Sequence, residues 1–124
     1  MSDDYRADER TSLRVLFCLG VRPAFFATNE QERATVIPAI REAFDDLHGR
    51  FGLTVLGTMD DDELMVGPSE TYPWTAYILA DAPDLSAVTG LCNQLRVVPV
   101  GEVQLWHYLK IETRVGRALF FGNS

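Results

Sequence analysis

The sequence predicts an α+β fold in which four antiparallel strands form one sheet and two helices cover one of its faces. Three observations carry this prediction. The chain has 124 residues of ordinary apolar content, enough for a single core, since a chain of this size buries roughly two-thirds of the surface its unfolded form exposes. Its hydrophobic periodicity switches between strand and helix in the order strand, helix, strand, strand, helix, strand. That order is the one of the split βαβ, or ferredoxin-like, unit, whose right-handed crossovers bring both helices to the same side.

Residues 1–12 form a charged segment with one aromatic, expected to be a mobile tail because it cannot repay its ordering entropy. Residues 13–124 form the single domain. Residues 13–20 are rich in Val, Leu and Phe with no turn former before Gly20, as a strand buried on both faces should be. Asn29 followed by Glu32 has the form of a capping box, and Ile37, Ile40, Phe44, Leu47 and Phe51 then recur at helical spacing. Pro38 predicts a kink or restart inside that helix, and Gly49 with Gly52 predicts its end. Residues 53–59 return to a strand pattern, and Asp60, Asp61, Asp62 and Glu63 form a solvated turn, lacking the alternating ligands and mid-loop glycine of a calcium loop. A loop over residues 68–73 leads to a third strand over residues 74–80, and its aromatic end, Tyr72, Pro73 and Trp74, is a candidate lid. Asp84 is placed to cap a second helix with Leu85, Val88, Cys92 and Leu95 on one stripe. Residues 103–113 read as one last strand with chemically distinct faces. Val103, Leu105, His107, Leu109 and Ile111 fall on one side, and Gln104, Trp106, Tyr108, Lys110 and Glu112 on the other.

Charge excludes some functions. Eleven Lys+Arg against 18 Asp+Glu give a formal charge of −7, which disfavours nucleic acid and anionic membrane surfaces as partners. The longest apolar run, residues 13–21 apart from Arg14, is too short to span a bilayer, and it follows Asp3, Asp4, Asp8 and Glu9 where a signal peptide would be basic. A cytoplasmic protein is the expectation. Cys18 and Cys92 have no Cys or His neighbour at metal-ligand spacing and are expected to be free thiols, with no metal site. No nucleotide, P-loop or nucleophile-elbow motif is present, so no cofactor is expected. With both helices on one side, the other side of the sheet is a large, partly aromatic face that should not stay in water, which predicts a homodimer with two sheets face to face.

The fold order, the length and the polar-aromatic last strand resemble the dimeric α+β barrel superfamily, over about residues 13–117. Three segments, LGTMDDDELMVGPSETYPWTAYILAD (56–81), CNQLRVVPVG (92–101) and LWHYLKIETRVGRAL (105–119), resemble the IacB family, small proteins encoded with the enzymes of bacterial indole-3-acetic acid degradation. The resemblance implies a role in aromatic catabolism beside a flavin-dependent oxygenase and a short-chain dehydrogenase, acting on or binding an oxygenated indole-3-acetate intermediate in the barrel interior.

An interior that accepts an indole carboxylate needs an aromatic wall, a cation and a few hydrogen-bonding groups. Trp106 and Tyr108 are candidate walls, Tyr77 a second hydroxyl, and Trp74 an aromatic at the mouth. Lys110, Arg114 and Arg117 are the carboxylate partners, Arg favouring two-point contact. Phe25 and Phe26 are placed to line the entrance or to pack helix against sheet. Glu112 is a candidate base, or else an ion-pair partner of Lys110 or Arg114. His107 has the chemistry of a proton carrier, but its strand face points toward the helices, which favours a core or surface role. His48 near the end of the first helix is a charge partner for that terminus. Two alternatives stand beside the enzyme reading: a non-catalytic binding or accessory protein that holds an aromatic acid or docks on a pathway oxygenase, and a cofactor-independent monooxygenase or isomerase of another aromatic compound. The apolar Leu119, Phe120 and Phe121 predict a C-terminal arm that crosses onto the partner subunit.

Overall fold

The first strand, β1 (Leu13–Val21), alternates sharply because its two faces meet different surroundings. Val15 and Phe17 are fully buried, and they join a core with Leu47, Leu53, Ile78, Ala80, Ala82, Ala87, Val88 and Leu91. Arg14, Leu16 and Cys18 point the other way. The computed structural model describes residues 12–68 and 74–123, so the tail expected over residues 1–12 lies, but for Ser12, outside the described residues, as do Tyr72 and Pro73.

A short helix, α1 (Pro23–Phe26), follows, with proline in its first turn where no backbone donor is lost. The capping box forms as the spacing predicts. Glu32 N–H donates to Asn29 Oδ1 at 2.8 Å, and Asn29 N–H to Glu32 Oε1 at 3.0 Å, starting α2 (Glu30–Ala43). The helix runs on through Pro38 and breaks later. Asp46, in the left-handed region at φ 44°, caps α3 (Leu47–Phe51), and Gly52 at φ 75° closes it. Between the two helices the Arg50 guanidinium accepts the role of a cap, donating to the carbonyls of Glu42 at 2.9 Å and Asp45 at 2.7 Å. The buried stripe of α2 is Val36, Ala39 and Ala43, one position earlier than the sequence pattern suggests, and Ile37 is left 40% exposed.

The sheet is completed by β2 (Thr54–Asp60), β3 (Ala76–Ala82) and β6 (Leu109–Gly116), in the order β2-β3-β1-β6 with every neighbouring pair antiparallel. Between β3 and β6 lie α4 (Leu85–Cys92), capped by Asp84 through Ala87 N–H at 2.9 Å, then α5 (Gln94–Val97), and a small hairpin of β4 (Pro99–Val100) and β5 (Val103–Gln104). This is the ferredoxin-like βαββαβ arrangement expected from the sequence. The sheet is open, and within one chain it does not close into a barrel. No helix among the described residues is long and apolar enough to cross a membrane.

The last strand departs from expectation. A 3-10 helix, Leu105–His107, separates β5 from β6, held by Tyr108 N–H to Leu105 O at 3.0 Å. Two longer-range bonds fix it in place: Leu105 N–H donates to Val98 O at 2.9 Å, and Arg22 N–H to Tyr108 O at 2.8 Å. Alternation before this turn therefore does not carry through it. Tyr108 turns into a second core with Val36, Ala39, Leu95, Leu105 and Leu109, while Trp106 and His107 come to the surface. Residues 64–67 form no strand, and Leu64, Met65 and Val66 are exposed, as are Leu119, Phe120 and Phe121 beyond β6.

Candidate functional site

Register decides which side chains share the face of the sheet that the helices leave uncovered. Cys18 lies between Tyr77 and Glu112, Leu16 between Leu79 and Arg114, and Arg14 between Asp81 and Gly116, while Gly20 pairs with Lys110. Facing residues of an antiparallel pair emerge on the same side, so Arg14, Leu16, Cys18, Tyr77, Leu79, Asp81, Lys110, Glu112 and Arg114 all belong to this face. A bulge in β2 adds to it. The register shifts between Val55 and Gly57, which makes Leu56 the extra residue, so Gly57 sits opposite Leu79 and Met59 opposite Tyr77. Without the bulge Met59 would turn to the helix side.

A cavity of about 420 Å³ opens here, lined by Leu16, Gly57, Thr58, Met59, Tyr77 and Leu79. Gly57 makes part of that room, since a Cβ built on it meets nothing within 4 Å. The Tyr77 hydroxyl donates toward Asp61 Oδ2 at 3.0 Å and lies 3.2 Å from Trp74 O, so its proton is committed to acceptors of its own chain. Its oxygen is left to accept. Burial pushes the Tyr77 phenol above its ordinary range, and the hydrogen bond to Asp61 and the negative charge of Asp61 add to the effect. Asp61 is positioned by the backbone as well, its N–H donating to Thr75 O at 2.9 Å, and Thr75 N–H in turn reaches Leu19 O at 2.9 Å.

Paired charges share this face of the sheet. Arg14 Nε meets Asp81 Oδ1 at 2.7 Å across β1 and β3, and Glu112 forms an ion pair with Arg114 along β6. The Lys110 ammonium lies 5.9 Å from the centroid of the Trp74 ring, within cation–π range.

The structure thus brings together Trp74, Tyr77, Lys110, Glu112 and Arg114 among the residues singled out in the sequence. It does not bring Trp106 or Tyr108 to them. Tyr108 is only 8% exposed and fills the helix-side core, and Trp106 packs under the Arg96 guanidinium, 5.5 Å from its ring centroid. His107, expected on a strand, sits exposed in the 3-10 helix with its ring edge-on to Tyr108 at 4.8 Å. Glu112 lies in its ion pair with Arg114. Phe25 packs on the second core while Phe26 is exposed. The free thiols behave as ordinary packing groups: Cys18 is buried, and Cys92 Sγ lies 3.0 Å from Thr113 Oγ1. Asp61 is the participant that sequence reasoning left in a solvated turn. Its partner is sixteen positions away on β3, beyond the reach of any local pattern.

No family model matches the chain, and no curated protein does. Among solved structures it is similar to a protein of unknown function from Rhodopseudomonas palustris, at 15% identity over 92% of this chain and 86% of that one, with a TM-score of 0.46. A methylated form of that protein aligns at 16% identity over 98% and 92% of the two chains, with a TM-score of 0.49. A dimeric protein of unknown function and ferredoxin-like fold from Bacteroides fragilis aligns at 14% identity over 84% and 95%, with a TM-score of 0.39.

Proposed function

We propose that this protein binds a small planar aromatic acid on the uncovered face of its sheet, and that a second copy of the chain covers that face to complete the chamber. One observation carries the reading: Tyr77, its hydroxyl held by Asp61, lines an apolar cavity of about 420 Å³ on the same face as Lys110. A ligand there meets an acceptor at one end and a cation on the neighbouring strands. That combination suits a ring carrying an N–H or O–H donor and a carboxylate side arm. The resemblance to the IacB family makes the finer reading an oxygenated indole-3-acetate intermediate, either transformed in this chamber or held there for a pathway oxygenase.

The test is calorimetric titration with indole-3-acetate and with oxindole-3-acetate. Binding that weakens at least about tenfold in Tyr77→Phe or Lys110→Met, the cost of one charge-assisted or buried polar contact, supports the reading. Affinity unchanged in both variants, or absent in the unmodified protein, rejects it. Mass spectrometry of the oxygenase product with and without catalytic amounts of the protein then separates the two forms of the finer reading: a new product marks an enzyme, the same product formed faster marks an accessory protein, and no change in product or rate rejects both.

A further inference from the structure

Where β1 ends and β6 begins, side chains of one chemistry gather around a tryptophan. Arg22 is anchored twice, through its backbone N–H to Tyr108 O at 2.8 Å and through Nε to Leu109 O at 3.3 Å. The 3-10 helix sets Trp106 and His107 beside it, and these three residues line a concavity of about 320 Å³. It shares no lining residue with the cavity bordered by Tyr77. Arg96 lies over the Trp106 ring at 5.5 Å, and the His107 ring rests edge-on against Tyr108, itself part of the core. The concavity therefore stands on anchored groups.

Its charge is out of keeping with the rest of the chain. Acidic residues outnumber basic ones by 18 to 11, yet among the described residues neither Arg22 nor Arg96 meets a carboxylate. Arginine forks match a carboxylate in two-point geometry, and an imidazole edge adds a further donor. The indole offers a flat surface to a second ring. A lining of three residues is the scale of one ring with its acid group, whereas a protein partner would need some 20 residues a side.

We propose that this concavity is a second small-molecule site, which takes a monocyclic aryl carboxylate with its ring against Trp106 and its carboxylate toward Arg22 and His107. The Arg96 guanidinium, packed on the same indole, adds positive potential to the site. The proposal stands apart from the binding reading given above, because the two sites have different residues.

The chain has two tryptophans, so Trp74→Phe leaves Trp106 as the single fluorescent reporter. Titration of that variant with benzoate is expected to change its emission saturably, and Arg22→Gln added to it should weaken the effect at least about tenfold, as loss of a charge-assisted contact does. In the unmodified protein the ring-proton resonances of His107 should shift on the same binding curve while those of His48 stay in place, a readout that needs no substitution. Cyclohexanecarboxylate, with the same charge and no flat ring, should bind more weakly. The proposal is overturned by the absence of any saturable response to millimolar benzoate, by a response indifferent to Arg22→Gln, or by one that disappears in Lys110→Met, which would put the benzoate on the open face of the sheet.

Discussion

Tyr77 and Asp61 lie on different elements, the first on β3 and the second just past the end of β2, and a 3.0 Å hydrogen bond joins them at the border of the sheet's open face. Asp61 accepts the hydrogen bond from the phenol, and its charge opposes formation of the tyrosinate.

This relationship has a pH signature. A phenol whose folded-state pKa is raised keeps its proton in the native chain after the unfolded chain has lost it, so its contribution to stability is intact below about pH 10, the ordinary tyrosine value, and falls as pH rises from there through the folded value. Denaturant unfolding of the wild type should lose stability over that alkaline window more steeply than Tyr77→Phe. Asp61→Asn should move the tyrosinate absorbance transition part of the way back to normal, since burial, the larger cause, persists. Identical transitions in wild type and Asp61→Asn would dissolve the link.

Gly57 offers a test of the cavity itself. A side chain built there meets nothing nearby, and the residue does not require a glycine-only backbone. Gly57→Leu should therefore fold with a melting temperature close to wild type and abolish binding of indole-3-acetate in a calorimeter. A variant that folds and still binds as tightly would place the ligand elsewhere.

Trp106 and Tyr108, neighbours but one in sequence, should behave oppositely when truncated. Tyr108→Ala removes a ring from the second core and should cost about 3 to 5 kcal/mol, as large-to-small core changes do. Trp106→Ala, at a site 49% exposed, should cost less than about 1 kcal/mol. Urea titrations of the two variants decide between this arrangement and a continuous strand, in which both residues would share a face and a similar cost.

The apolar part of the open face and the exposed C-terminal residues point to association. Leu16→Glu places a charge at the centre of the sheet face, and removal of residues 118–124 takes away Leu119, Phe120 and Phe121, each more than half exposed. Sedimentation velocity over a concentration series should show a dimer for the wild type, a monomer for Leu16→Glu, and weaker self-association for the truncated chain. A wild-type monomer at every concentration would leave the face without its second copy.

The local signals in the sequence proved the most legible. Asn29 and Glu32 specify two short hydrogen bonds at a fixed spacing, and Asp84 specifies one, so these helix starts are readable without any tertiary knowledge. Strand parity likewise places Lys110 and Glu112 on one face. What could not be read depends on contacts between distant elements. The turn at Leu105–His107 contains no glycine or proline and is fixed from outside, by Val98 and Arg22. The bulge at Leu56 is set by pairing with β3 and reverses which residues of β2 join the open face. Ile37 is apolar by pattern and exposed in fact, because the helix packs along the stripe of Val36, Ala39 and Ala43, which only its tertiary neighbours select.

The bulge at Leu56 has a consequence for how the molecule behaves in crowded solution. β2 ends the sheet, and every one of its residues is exposed. An unbroken ladder of that kind is a template onto which a foreign strand can zip and from which a fibre can grow. The extra residue divides the ladder into a run of two residues and a run of four, neither long enough to hold a stranger securely. The irregularity that brings Met59 beside Tyr77 also acts as a safeguard against runaway strand addition.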